Sequence, residues 1–153
     1  MSSAYGKLPD KEIIVPSFLP LQETLDDGLK VQICELALQP QQLLDEVHLL
    51  LNHIIEEGKT YPHEHVLDLD GFQAYFQTGF VLKDFNNKVY GAFYVKPNFP
   101  GRCSHICNGG FIVKPECRGL GVGKALGRSY LKIAPAMGYK ASIFNLVFEN
   151  NTV

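Results

Sequence analysis

The chain has 153 residues, 46% of them hydrophobic and 20% charged, with a formal net charge of −2 at pH 7. That size and balance fit one domain with its own core, and they leave no broad basic footprint for nucleic acid or an anionic membrane. No apolar run approaches the roughly 20 residues of a membrane-spanning helix.

The start carries Asp10 and Glu12 where a targeting signal would carry a basic stretch and an apolar core. Four Cys without a disulfide framework suit reduced thiols in the cytoplasm or nucleus. Residues 1–30 contain Pro9, Pro16, Pro20 and Gly28 and show no sustained period, so they read as an irregular arm ahead of a domain spanning 31–153. Residues 31–38 are β-compatible, and Gln39-Pro40 ends the run. Apolar residues at 43, 44, 47, 50, 51 and 54 then mark one face of a helix over 41–57, closed by Gly58.

The loop KTYPHEHVLDLD leads to a shorter helical stretch at 71–77. FVLKD and VYGAFYV flank Asn86-Asn87 as an antiparallel hairpin. HICNGGFIV is a strand whose Gly109-Gly110 pair predicts a bulge or a close approach by another backbone. Residues 122–134 are helical, Gly138 ends that helix, and 139–148 form a β-branched and aromatic strand. Strand, helix, strand at this end predicts a right-handed crossover between two parallel strands. The fold class is α/β with a mixed sheet. An apolar final strand with nothing over its edge is a liability, so the native chain is expected to continue past Val153.

The chemistry concentrates at R-G-L-G-V-G-K, residues 118–124. Alternate glycines turn the backbone sharply and bare consecutive N–H groups, and the following helix start adds its free donors and positive dipole end. Arg118 and Lys124 contribute formal charge, so the expected ligand is a phosphate or pyrophosphate. A P-loop fails here, because Arg118 stands at its first Gly position and Ala125 follows Lys124. A dinucleotide fingerprint fits poorly, since the spacing is G-x-G-x-G and lies late in the chain.

Val113, Pro115, Arg118, Gly119, Gly121 and Gly123 do match V-x-P-x-x-R-G-x-G-x-G, the pyrophosphate-binding signature of the GNAT superfamily of N-acetyltransferases. GKTYP (58–62), G-x-FY-x-KPN (91–98), RCSH (102–105), CN-x-GF (107–111) and GYK-x-SIFNLVF (138–148) further resemble the fungal L-azetidine-2-carboxylate and proline-analogue acetyltransferases. The resemblance implies a mostly antiparallel sheet whose fourth and fifth strands splay around pantetheine. It also implies three helices here, with the family's C-terminal helix and strands absent. It implies acetyl-CoA as co-substrate, no metal, a small amine or imino acid as acceptor, a homodimer, and a role in detoxification or stress tolerance.

For individual positions the resemblance implies that Phe111, Ile112, Val113, Arg118, Gly119, Gly121, Val122, Gly123, Lys124 and Asn151 hold the coenzyme. Asn108 becomes an oxyanion donor or substrate clamp and Asn145 an acceptor-site donor, each with a structural amide as its plainer reading. Tyr61 and His65 join the acceptor pocket, and Glu64, His65 and a water chain are the candidates for the proton acceptor. Cys103, His105 and Cys107 have alternating spacing, but the resembled family holds this run without metal. A coenzyme A-binding module without catalysis and a nucleotide-binding domain stand as the alternatives.

Overall fold

A computed structural model describes residues 2–3, 6–8 and 12–151. Six strands form one sheet in chain order: β1 (Leu21–Thr24), β2 (Lys30–Glu35), β3 (Gly79–Asp84), β4 (Val89–Pro97), β5 (Ile106–Val113) and β6 (Ala141–Ser142). Every neighbouring pair is antiparallel except β5 and β6, which run parallel through the crossover helix. Helices α1 (Gln41–Glu57) and α2 (Leu69–Tyr75) cover one face, and α3 (Val122–Ala136) covers the other.

The α1 boundaries follow from local chemistry. Pro40 sits at the N-cap, and Gly58 closes the helix in the left-handed region (φ 65°), its N–H donating to the Ile55 carbonyl. Leu43, Val47, Leu50, Leu51, Ile54 and Ile55 form its buried stripe. Each such side chain contributes roughly 1.5–3 kcal/mol by leaving water. The opposite layer is Val122, Ala125, Leu126, Tyr130 and Ile133 of α3, packed on Phe93, Val95 and Cys107 of the sheet.

Three sequence expectations are corrected. Residues 21–30, read as the end of an irregular arm, pair as the β1–β2 hairpin, because Gly28 (φ 85°) makes the turn and Leu25 is buried. The Gly109-Gly110 pair makes no bulge: β4 and β5 stay in register from Gly91↔Val113 to Pro97↔Cys107. The register shift lies one strand pair away, between Leu82 and Lys83. The last strand is β-paired only at Ala141 and Ser142, and Leu146 then enters the left-handed region (φ 51°). A strand persists only while a neighbour accepts its ladder, and past Ile143, whose N–H reaches the Cys107 carbonyl, the chain parts from β5.

Candidate functional site

The turn between β5 and α3 is built by two left-handed glycines, Gly119 (φ 83°) and Gly121 (φ 82°), a conformation that costs other L-residues roughly 1–2 kcal/mol. Gly121 is the N-cap of α3. Among the described residues, the N–H groups of residues 119–124 find no hydrogen-bond acceptor. They are bared at the positive end of a 15-residue helix, an anion site by construction. Lys124 is exposed beside them. The Arg118 guanidinium lies 3.3 Å from Glu57 of α1, half exposed. Such a surface pair is worth only about 0–1 kcal/mol, so it holds the guanidinium loosely.

The outer edge of β5 carries the second feature. Asn98 N–H donates to the Ile106 carbonyl and Lys114 N–H to the Tyr90 carbonyl, which fixes the phase of the ladder. Even-numbered residues of β5 therefore turn their backbone groups to β4, and Gly109, Phe111 and Val113 turn theirs outward, into the gap left where β6 departs. Phe111 and Val113 border this gap. Ile112 does not: its backbone serves the β4 ladder and its side chain is buried on the α1 face, so it presents nothing to the gap. On the α3 side the gap is floored by Phe111, Tyr130 and Phe144, whose rings lie 5.4 to 6.0 Å apart.

The two glycines of β5 are explained by side chains rather than by a bulge. A Cβ on Gly109 would strike the Tyr130 ring, and one on Gly110 would stand 2.5 Å from the Tyr61 hydroxyl and 2.8 Å from that of Tyr94. Gly110 thus lets a cluster of polar aromatics settle on the α1 face of the sheet. The Tyr75 and Tyr94 hydroxyls bond each other at 3.0 Å, and His63 stands edge-on to Tyr75 at 5.0 Å. The Lys96 ammonium rests over the rings of Tyr75 and Tyr94 at 4.0 and 4.8 Å. Asn108 pairs in register with Lys96 and so shares this face.

The loop carrying Tyr61 and His63 is pinned to α1. Asn52 both donates to and accepts from the Leu67 backbone, and His48 reaches the same carbonyl at 2.7 Å. Asp68 then caps α2 through the Gly71 N–H. Burial lowers the Lys96 pKa to about 8. It also lowers that of His63, helped by the Lys96 charge, and raises that of Tyr61 well above the phenol range. The Tyr61 hydroxyl and His63 Nδ1 are buried with no hydrogen-bond partner among the described residues.

The remaining candidates separate. Tyr61 lies in the cluster, while Glu64 and His65 are exposed and His63 is the loop residue that faces inward. Asn145 donates its amide to the Asn98 side chain, tying the departing chain to the end of β4. Asn151 closes a turn, its N–H donating to the Phe148 carbonyl. Cys107 Sγ lies 3.2 Å from the Tyr130 hydroxyl, and Cys103 is exposed. From the sequence, His63, Tyr75, Tyr94, Lys96 and Asn98 receive no coenzyme or acceptor role, although the last three lie in the run G-x-FY-x-KPN. The findable signal was Lys96, one charge at the end of an apolar strand and in phase with Tyr94.

A bared N–H turn at a helix mouth lies next to a parallel strand pair that opens. The profile of the acetyltransferase (GNAT) family matches residues 46–153, and the chain belongs to that family. N-acetyltransferase aca1 of Schizosaccharomyces pombe is 38% identical over 130 residues, covering 72% of this chain and 62% of the relative. This chain thus spans less than two thirds of that protein's length. Among solved structures, a GCN5-related N-acetyltransferase from Kribbella flavida superposes with a TM-score of 0.72 at 26% identity, covering 80% of this chain and 75% of the other. A GNAT superfamily phosphinothricin acetyltransferase from Sinorhizobium meliloti, solved in complex with acetyl-CoA, shares the fold. Its TM-score is 0.65 at 18% identity, covering 74% of this chain and 64% of that one.

Proposed function

We propose that this protein is an acetyl-CoA-dependent N-acetyltransferase whose acceptor is a small amino or imino acid of the proline-analogue type. The observation that carries the reading is the continuity of two unsatisfied surfaces. The free N–H groups of residues 119–124 lie on the turn that follows β5, whose outer edge carries the backbone groups of Val113, Phe111 and Gly109. A diphosphate followed by an extended chain of amides satisfies both at once. A nucleotide would use the first and leave the second bare.

Acetyl-CoA supplies the thioester when bound. Residues 119–124 hold the diphosphate, and the β5 edge pairs with the pantetheine amides as a sixth-strand neighbour would. Asn108, next to Gly109 at the point of divergence, donates toward the thioester oxygen. Removing one such donor costs other enzymes roughly 10²–10³ in rate. The acceptor must arrive with its nitrogen deprotonated, because an α-amino group near pKa ~8 is mostly cationic at pH 7. The new N–C bond forms as the C–S bond breaks, and the proton shed by nitrogen ends on the thiol. In this reading the proton that the acceptor must first lose goes to His63, whose pKa burial and the nearby Lys96 charge both lower. A metabolite-protecting role, acetylating a toxic proline analogue, fits this acceptor class.

The test compares acetyl-CoA, NAD and ATP by thermal shift, then follows CoA release with L-azetidine-2-carboxylate. A ligand at about 100 times its Kd stabilises by about 2.7 kcal/mol. Stabilisation by acetyl-CoA alone, with CoA released on adding the imino acid, is the expected result. Stabilisation without release from any amine defeats the catalytic reading.

A further inference from the structure

Two lysines of the sheet are drawn into the interior, and their surroundings differ. Lys83, 8% exposed, donates to the Gln39 and Asn87 side-chain oxygens at 2.7 and 2.8 Å. Lys96 has no oxygen partner. Among the described residues no carboxylate lies within ion-pairing distance of its ammonium, which meets only the faces of Tyr75 and Tyr94. A half-sequestered cation without an anion is costly, and ring faces offset only part of that cost.

The same cluster holds an unpartnered Tyr61 hydroxyl on a side chain 8% exposed, held against Gly110. An ammonium can only donate, and a buried phenol without a partner can donate beside it. Their common complement is a carboxylate.

We propose that Lys96, together with the Tyr61 hydroxyl, anchors the carboxylate of the acceptor, so that the enzyme selects amino and imino acids over the corresponding amides, esters and simple amines. This rests on the transferase reading above and gives its acceptor pocket a charge rule. The carboxylate sits at the Lys96 end of the cluster, one strand inward from the open edge of β5. The acceptor nitrogen, two bonds from the carboxyl carbon, points back toward Asn108 and the gap. Small substrates satisfy both ends because adjacent strands lie only about 4.8 Å apart.

The experiment measures kcat/KM for L-azetidine-2-carboxylate, its carboxamide and its methyl ester, in wild type, Lys96→Met and Lys96→Arg. In wild type the acid is expected to exceed the amide by about 10- to 100-fold, the range of a hydrogen bond to a charged group, chiefly through KM. Lys96→Met should collapse the acid-to-amide ratio toward unity, and Lys96→Arg should retain part of it.

An amide used as well as the acid by wild type overturns the anchor while leaving the transferase reading intact. That comparison needs no variant to fold. Loss of kcat on acid and amide alike in Lys96→Met would instead make Lys96 a proton-transfer group and also overturn the anchor. Acetyl-CoA binding without CoA release from any of the three compounds removes both readings together.

Discussion

The Tyr61 hydroxyl lies 2.5 Å from the point where a Cβ would stand on Gly110. This single clearance couples the loop after α1 to the strand that borders the gap. Tyr61 cannot retreat, because it is 8% exposed and packed with the Tyr75 and Tyr94 rings on the α1 face. Gly110→Ala should therefore overpack the site and destabilise the protein by about 1–3 kcal/mol. The backbone groups of Gly110 face β4, not the gap, so the coenzyme edge is spared. The expected outcome is a lower Tm and a raised KM for the acceptor, with acetyl-CoA affinity within a few fold of wild type. Titration calorimetry beside steady-state kinetics checks this.

Asn108 stands at the divergence of β5 and β6, on the face it shares with Lys96. If its amide donates to the developing oxyanion, Asn108→Ala depresses kcat by roughly 10²–10³ and leaves the Kd for acetyl-CoA nearly unchanged. Equal losses in turnover and in binding would assign the side chain a structural role. Single-turnover rates alongside equilibrium binding separate the two.

Residues whose role is local were legible from the sequence. The α1 stripe, Gly58 as its cap and the glycine turn before α3 each follow from short-range geometry, and each stands where its spacing placed it. The bared N–H turn was readable for the same reason, because its donors are consecutive backbone groups. The aromatic cluster around Lys96 was not. Lys96, His63 and Tyr75 come from β4, the loop after α1, and α2, and only the sheet brings them together. The Gly109-Gly110 pair left two readings open because a bulge and a close approach both select glycine. Which of them applied depended on Tyr130 and Tyr61, residues distant in sequence.

Lys96 also predicts a pH dependence of stability. Its pKa falls from 10.5 to about 8 through burial. Between those values the unfolded chain holds a proton that the folded chain has released, so stability rises with pH across that window. Below about pH 8 the cost of the buried charge is fully present. Lys96→Met removes that cost, so any stability advantage of the variant over wild type should be largest near pH 7 and shrink as the pH approaches 10. Urea midpoints at pH 7, 8.5 and 10 measure it, and a constant difference would place the ammonium in water.

The glycine turn gives the last test, with a control in the same helix. Gly121 needs a left-handed backbone (φ 82°), and a Cβ there would lie 2.6 Å from the Asp26 carboxylate. Gly121→Glu therefore adds strain, bulk and a second negative charge at the mouth of α3, beside the bared N–H groups. Acetyl-CoA should no longer shift the Tm. Gly127 also lies in α3, but a Cβ there meets nothing within 4 Å and its backbone is ordinary helix. Gly127→Ala should stabilise the protein by about 0.4–1 kcal/mol by restricting the unfolded chain and leave the acetyl-CoA shift intact. If Gly121→Glu kept wild-type affinity, the diphosphate would have to sit elsewhere. Loss of binding in both variants would mean that α3, rather than the turn, had been damaged.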